Sequence, residues 1–442
     1  MYLLYSALLL LGILLTLPYW LLQMGRHGKY RAGLAERLGK VPPRIGTSSQ
    51  PVIWIHAVSV GEVLAISGVA AEMAARFAQH RVVVSTTTDT GQKLARNRFG
   101  KENVFYFPLD FAFAIRTYLA RLRPELVLIV ETEFWPNFLR LARQSDARIA
   151  VVNARISDRS FAGYRRVRRW LAPALRNVDL FLAQTEEDGR RLIEIGVPAG
   201  RVAVTGNLKF DVCPPSPPPI VASLQSAFEQ ASAGPILVCG STVEDEEPLL
   251  LRAFENVLAS HPRAVMLLAP RHPERFAEVT GLLEKIGMRF WRRSLWSGEP
   301  IAGGVFLVDS IGELAALYAL ATVAFVGGSL VPHGGHNIIE PAQHGVPIVV
   351  GTHTENFRDI VELFRRRDAL KVVGPAELPL AFMELISNEA ECVAQGKRGA
   401  ETLRAQAGAT QRTMAALERL FSSGLISSAT SAGSGARTTP VR

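Results

Sequence analysis

Cysteine is scarce in this chain. Cys213, Cys239 and Cys392 are the only three in 442 residues, and none stands at metal-ligand spacing from another. That excludes a disulfide framework and a structural zinc site, and it implies a reducing compartment. No Walker phosphate loop, nucleophile elbow or metal-binding His/Glu helix motif occurs, so the common nucleoside-triphosphatase, serine-hydrolase and zinc-peptidase chemistries are excluded. Acidic residues are outnumbered, 40 against 49 Lys+Arg, for a net charge of +9. A surplus of that sign points to an anionic partner: nucleic acid, an acidic membrane face or a phosphorylated substrate. Charge is missing altogether from Tyr2 to Gln23. Beyond Ser422 the chain is Ser, Gly, Ala and Thr with little to bury, which predicts a disordered tail over 422–442.

The uncharged N-terminal run is rich in leucine and 22 residues long, enough to cross a bilayer core of ~30 Å as a helix. No basic segment precedes it and no small-x-small cleavage site follows, which argues against a removed signal peptide. Residues 1–25 are therefore expected to be a membrane anchor. Arg26, His27, Lys29 and Arg31 follow at once, with Arg37 and Lys40 behind them. The positive-inside rule then places everything downstream in the cytoplasm. Pro18 and the Tyr19-Trp20 pair leave a second arrangement open, a helix lying in the interface instead of spanning.

From Pro51 to about Val212, short β-branched runs alternate with helical patterns. Strands are expected at Val52–Ala57, Arg81–Ser85, Asn103–Phe107, Leu126–Val130, Ile149–Asn153, Leu180–Ala183 and Val202–Thr205. This alternation implies a parallel, doubly wound sheet. The proline run Pro214 to Pro219 reads as a stiff linker. A second alternation follows, with strands Ile236–Cys239, Val265–Leu268, Val305–Val308, Val323–Val326 and Ile348–Val350. The expected organisation is an anchor (1–25), a first α/β domain (26–212), a linker (213–220), a second α/β domain (221–421) and a tail (422–442). The two domains are expected to face each other across a cleft.

The richest local signal lies in the second domain. Strand Val323–Val326 runs into Gly327-Gly328-Ser329-Leu330-Val331-Pro332-His333-Gly334-Gly335-His336, which holds four glycines and two histidines in ten residues. A helix from Asn337 to His344 is expected next. Glycines there let the backbone approach a ligand, and free N–H groups at a helix start carry partial positive charge. Asn337 is a candidate cap and Glu340, one turn in, a candidate partner for ribose hydroxyls. The plain alternative is a tight strand-to-helix turn that binds nothing. Two further strand ends add Arg271, within Ala269-Pro270-Arg271-His272, and the turn Ile311-Gly312-Glu313. Arg271 could form a forked pair with a phosphate or carboxylate. The acidic run Glu244 to Glu247 reads as ordinary first-turn acids and not as a metal site.

In the first domain, His56-Ala57-Val58-Ser59-Val60-Gly61-Glu62 closes the first strand and enters a helix, at the edge where doubly wound sheets place ligands. Glu62 is a candidate general base, or only a first-turn acid complementing the helix dipole. Glu131-Thr132-Glu133-Phe134-Trp135-Pro136-Asn137 ends another apolar strand, so either carboxylate reaches the same edge. Lys209, in Gly206-Asn207-Leu208-Lys209-Phe210-Asp211, is a candidate partner for an anionic substrate or a simple surface lysine. Seven arginines fall between Arg155 and Arg176, with Phe161, Tyr164 and Trp170 among them. This stretch is a solvated basic face or a surface for lipid phosphates. Nucleic acid would suit the same charges, but the N-terminal apolar run argues against it.

Taken in order, these motifs resemble those of the 3-deoxy-D-manno-octulosonic acid (Kdo) transferases, GT-B glycosyltransferases of lipopolysaccharide biosynthesis. Ser59-Val60-Gly61-Glu62, Glu131 to Asn137, Asn153-Ala154-Arg155-Ile156-Ser157, Gly206 to Asp211, Ala269 to His272 and Gly334-Gly335-His336-Asn337-Ile338-Ile339-Glu340-Pro341 all match. The likeness extends to about Leu420. Where the family often carries proline, this chain has Ile338, with the Asn337 to Glu340 spacing kept. The resemblance implies a GT-B fold of two Rossmann-like domains and transfer of Kdo from CMP-Kdo to the lipid A precursor (lipid IVA) at the bacterial inner membrane. Carried over by position, it implies Glu62 as the base and Glu131 or Glu133, with Lys209, as transition-state stabilisers. Pro270, Arg271, Ile311, Gly312, Glu313, Asn337, Ile338, Ile339 and Glu340 would hold CMP. No Asp-x-Asp cation motif stands at a suitable place, so no metal and no cofactor are expected. Another GT-B enzyme using a UDP-sugar and a lipid acceptor would share the architecture. A non-catalytic module binding anionic lipid is the reading from a different class.

Overall fold

The computed structural model describes residues 1–27, 32–46, 50–211 and 217–432. Lys29 and Arg31 of the basic flank, Cys213 to Ser216 of the proline-rich segment and the tail from residue 433 lie outside the described residues, as do the side chains of Arg26, His27 and Arg159. The chain divides into two compact units, Met1–Val212 with Ala407–Arg442, and Cys213–Gln406.

The first unit is built on strands β1 (Val52–His56), β2 (Arg81–Thr86), β3 (Val104–Tyr106), β4 (Pro124–Val130), β5 (Arg148–Ala154), β6 (Leu180–Ala183) and β7 (Val202–Val204). They form one sheet in the order β3-β2-β1-β4-β5-β6-β7, every pairing parallel. Each residue of β1 is buried. Trp54 packs into the core on one face, while Ile53 and Ile55 pack into the core on the other. A strand covered on both faces needs apolar residues at every position, which is why VIWIH does not alternate. Strand order reverses between β1 and β4, and at that switch point the carboxyl ends of the two strands leave room for a ligand.

Helix α1 (Tyr2–His27) precedes this sheet, α2 (Val60–Arg76) follows β1, α3 (Pro136–Gln144) follows β4, and α4 (Asp158–Arg166) and α5 (Arg168–Leu175) follow β5. The apolar run folds as α1, yet among the described residues no helix is long and apolar enough to cross a membrane. This does not support the spanning anchor expected from the sequence. One flank of α1 is engaged by the first unit itself. Asn137 Nδ2 donates to Ser6 Oγ at 3.0 Å, and the Arg140 guanidinium lies 4.4 Å from the centre of the Tyr2 ring. The Tyr5 hydroxyl bonds Asp110, whose carboxyl is pushed up to about 6, mainly by burial. Leu4, Leu8, Leu11 and Leu15, at helical spacing on the flank turned away, are exposed.

The second unit carries β8 (Ile236–Thr242), β9 (Val265–Pro270), β10 (Phe290–Arg292), β11 (Gly304–Leu307), β12 (Val323–Val326), β13 (Ile348–Val350) and β14 (Lys371–Val372), with α6 (Glu247–Ser260) after β8 and α7 (Ile339–Gln343) after β12. Its sheet is again parallel, in the order β10-β11-β9-β8-β12-β13-β14, with the switch point between β8 and β12. Strands β10 and β14 have no counterpart in the sequence reading. They are edge strands of three and two residues, too short to show a periodic signal.

After the second unit the chain returns to the first as helix α8 (Ala409–Ala432). The sequence places residues to 421 in the second domain, whereas Ala409, Met414 and Leu417 are buried in the first unit's core beside α2. Nothing local to a helical pattern says which sheet it will cover, so this crossing is invisible in the pattern. The helix also continues past Ser422, where composition predicts disorder. A helix nucleated on a packed first half propagates at little further cost.

Candidate functional site

At the switch point of the first sheet, Glu62 stands in the first turn of α2 and is 8% exposed. Its Oε2 accepts the Val58 N–H at 2.8 Å and its Oε1 accepts the Ser59 hydroxyl at 2.8 Å. A first-turn glutamate receiving two hydrogen bonds would ordinarily sit low. Here burial, and then the neighbouring Glu131 carboxylate, outweigh them and raise its pKa to about 7, with Glu133 adding a smaller push. That value lies well above an ordinary carboxylate and suits a base working near neutrality.

Glu131 follows β4 with a left-handed backbone, φ 61°, a conformation that costs a non-glycine residue about 1–3 kcal/mol. Its N–H is held by the Val152 carbonyl of β5 at 2.9 Å. Its Oε1 lies 3.0 Å from Lys209 Nζ, both side chains about a quarter exposed. Glu133 is placed differently, raised chiefly by burial, with the nearby Trp135 indole opposing and Glu131 adding to the rise. The sequence left the two glutamates equivalent; the structure pairs only Glu131 with Lys209. Beneath this edge, His56 stacks on Phe107 at 3.8 Å between ring centres and contacts Ser85 through Nδ1. Burial drives its pKa down to about 3, so it is neutral.

Three residues of the first unit that the sequence reading gave no role prove structural to the site. Asn153, next to last in β5, has φ 55° and accepts the Leu208 N–H on Oδ1 at 2.9 Å, fixing the turn that carries Lys209. Asp211 closes that turn. Gly206, at φ 93°, passes so near α8 that an added Cβ would lie 2.7 Å from Arg412. Their one signal was membership of motifs.

In the second unit, Pro270 ends β9 and the exposed Arg271 follows, its N–H bonded to the Thr242 carbonyl. Asn337 Oδ1 accepts the Ile339 N–H at 3.1 Å and its Nδ2 donates to Glu340 at 3.2 Å, but Asn337 stands one residue before the N-cap, which is Ile338 and makes no side-chain cap bond. The helix that follows is only five residues, shorter than the expected Asn337–His344. Little dipole accumulates in so short a helix, and side-chain cations matter more. Arg271, His272 and His333 all act electrostatically on His336, whose pKa is lowered first by burial. Its Nδ1 donates to the Gly327 carbonyl at 2.8 Å. Glu340 is raised by burial, while Asn337 and Arg271 pull it back.

Other expected donor contacts are narrowed. Ile338 and Ile339 are 1% and 2% exposed, so only their backbones can meet a ligand. Glu313 is engaged by Arg293 through two bonds of 3.1 and 3.0 Å, and by the Ser310 hydroxyl. Ile311, 67% exposed, and Gly312, at φ 92°, remain accessible in that turn. Glu246, read from the sequence as an ordinary first-turn acid, is fully buried and accepts the N–H groups of Gly328, Ser329 and Leu330 at 2.7–2.8 Å, and that of Val243 at 3.1 Å. It is the internal support of the glycine-rich loop.

Two parallel-sheet α/β units with polar groups gathered at each switch point resemble the GT-B glycosyltransferases. The fold is similar to that of a putative UDP-N-acetylglucosamine 2-epimerase from Listeria monocytogenes, with a TM-score of 0.59, 14% identity and coverage of 85% of this chain and 98% of that one. Identity that low speaks for the fold alone. Residues 32–212 match the family described as 3-Deoxy-D-manno-octulosonic-acid transferase (kdotransferase). The chain is 34% identical over 420 residues to the 3-deoxy-D-manno-octulosonic acid transferase of Haemophilus influenzae, covering 93% of this chain and 96% of that one. With the transferase of Bordetella pertussis it shares 35% over 437 residues, covering 93% and 98%. The chain belongs to the Kdo transferases, glycosyltransferases of lipopolysaccharide biosynthesis.

Proposed function

We propose that this enzyme transfers Kdo from CMP-Kdo to the lipid A precursor, lipid IVA, in one inverting displacement without a metal or cofactor. The observation that carries the reading is Glu62, a buried carboxylate with its pKa raised to about 7 at the ligand edge of the first sheet. Ionised Glu62 takes the proton of the acceptor hydroxyl as that oxygen bonds the anomeric carbon of Kdo. The bond from that carbon to the CMP phosphate oxygen breaks, and CMP leaves with the electron pair. Glu131, held by Lys209, offsets positive charge on the oxocarbenium-like sugar, and Lys209 matches an anionic substrate group. Arg271, with the backbone around Ile311-Gly312 and Asn337 to Glu340, holds the nucleotide and neutralises the departing phosphate. One base and no covalent nucleophile favour inversion.

The donor assignment is tested at Arg271. Arg271→Ala should raise the KM for CMP-Kdo about 10–100-fold, from the loss of a charge-assisted contact of about 1.5–3 kcal/mol, and weaken inhibition by CMP in parallel. Stronger inhibition by UDP than by CMP would instead favour a transferase of UDP-sugars.

The acceptor reading extends to a bacterial inner-membrane location, with the two units on the cytoplasmic side. We take α1 to rest on the membrane surface through its exposed leucines. The exposed residues Arg165, Arg166, Arg168, Arg169 and Trp170 of α4 and α5 would add contacts to lipid phosphates. Leu4, Leu8, Leu11 and Leu15 all changed to Ser should abolish flotation with vesicles of any composition. Reversing the four arginines should remove only the preference for anionic vesicles. Unchanged flotation of both variants would refute this placement.

A further inference from the structure

The motif Gly206 to Asp211 ends in a carboxylate that the chemistry above does not use, and the structure gives it a partner from a distant part of the chain. Asp211 Oδ1 accepts the Gly408 N–H at 2.7 Å and Oδ2 accepts the Thr410 N–H at 2.5 Å, across almost 200 residues of sequence. Two of the unsatisfied donors that every helix start presents are thereby met by one side chain from the turn that carries Lys209. Arg412, one turn into α8, reaches the other end of the motif: its Nε donates to the Thr205 carbonyl at 2.8 Å. On the opposite side of α8, Thr410 faces Gly68 of α2, where an added Cβ would lie 3.5 Å from the Thr410 hydroxyl. Helix α8 thus touches both the turn bearing Lys209 and the helix bearing Glu62.

We infer that Asp211 is a positioning residue for the transferase reaction, and that the start of α8 is the fixed post against which it sets Lys209. The inference rests on the roles proposed above for Lys209 and Glu131. The turn Leu208–Asp211 is a single stretch of 3-10 helix, too short to hold its own shape. Three ties fix it. Asn153 holds the Leu208 N–H, Asn207 Oδ1 accepts the Lys209 N–H at 3.0 Å, and Asp211 pins its far end to α8. Buried Leu208 and Phe210 keep the turn folded, but both lie on its inner side and leave the direction of Lys209 to the polar ties. Untying Asp211 lets the turn rotate and takes Lys209 Nζ away from Glu131 Oε1. This also accounts for residues beyond Gln406 completing the first unit: they complete the setting of the lysine.

The test is a double-mutant cycle in the full-length enzyme, with Asp211→Ala, Lys209→Ala and the pair, read as kcat and as KM for CMP-Kdo in transfer to lipid IVA. Asp211→Ala should lower kcat about tenfold or more, as misplacement of a catalytic group by about 1 Å does, with KM for CMP-Kdo unchanged. In the Lys209→Ala background it should cost no further activity, because the group it positions is gone. Asp211→Asn, which keeps one acceptor oxygen, should fall between. A structural role alone would lower kcat by the same factor with and without Lys209, and that result overturns the inference. If Asp211→Ala does not fold, Asp211→Asn is run in the same cycle with the same criterion. Failure of the wild type to use CMP-Kdo would refute the proposed function instead, so the two failures are distinguishable.

Discussion

Glu62→Gln should reduce kcat for Kdo transfer by about 10²–10⁴-fold, the usual contribution of a general base, while making the protein more stable at alkaline pH. The first half follows from chemistry, since glutamine cannot take the acceptor's proton. It nevertheless fits the site, with its oxygen toward the Val58 N–H and its amide toward Ser59. In the wild type, kcat/KM should fall as pH drops below about 7, because the raised carboxyl becomes protonated and cannot act as a base. About one-tenth of the plateau should remain one pH unit below that value. The stability effect has the opposite sense. The folded protein holds the Glu62 proton more tightly than the unfolded chain does, so this group favours folding most at low pH. That contribution is lost as pH rises from the unfolded value through the folded value of about 7, a cost of about 3 kcal/mol at pH 8. The melting temperature of Glu62→Gln should therefore exceed the wild type's at pH 8 and match it at pH 4. Equal melting temperatures at both pH values would show that Glu62 is not held in an unfavourable setting.

Lys209→Ala and Glu131→Gln should each lower kcat by about 10²–10³-fold, the usual loss when one preorganised electrostatic partner is removed from a developing charge. Glu133→Gln should change it less than about tenfold. Both members of the Lys209–Glu131 pair are partly exposed, and such pairs contribute only about 0–1 kcal/mol to folding, so melting temperatures should barely move. Steady-state kinetics of the three variants, with thermal melts alongside, decides between the glutamates. A loss confined to Glu133→Gln would transfer the role to that residue and remove the significance of the 3.0 Å contact.

Much of this was legible in the sequence because parallel sheets advertise themselves. Continuous apolar runs such as VIWIH and LVLIV mark strands buried on both faces, and the residues just past each run fall at the ligand edge by topology alone. That logic brings Glu62, Glu131, Arg271 and Asn337 to the ligand edges of their sheets without any tertiary information. The features that stayed hidden depend on contacts between segments far apart in sequence. The return of α8 to the first unit, the clasp of Asp211 on Gly408 and Thr410, and the burial of Glu246 under the glycine loop leave no periodic trace. An acid that supports a loop from inside looks, in sequence, like an acid that decorates a helix start. The N-terminal run shows the converse limit: its lack of charge reads as an anchor, but Ser6, Tyr2 and Tyr5 engage the protein itself.

The most direct test of the central claim is Kdo transfer from CMP-Kdo to lipid IVA in detergent with EDTA present, wild type beside Glu62→Gln. The account predicts product from the wild type at a rate EDTA does not change, and at least about a hundredfold less from Glu62→Gln. Wild-type-level product from a folded Glu62→Gln would contradict the assignment of the base, and no product from a folded wild type would contradict the proposed reaction.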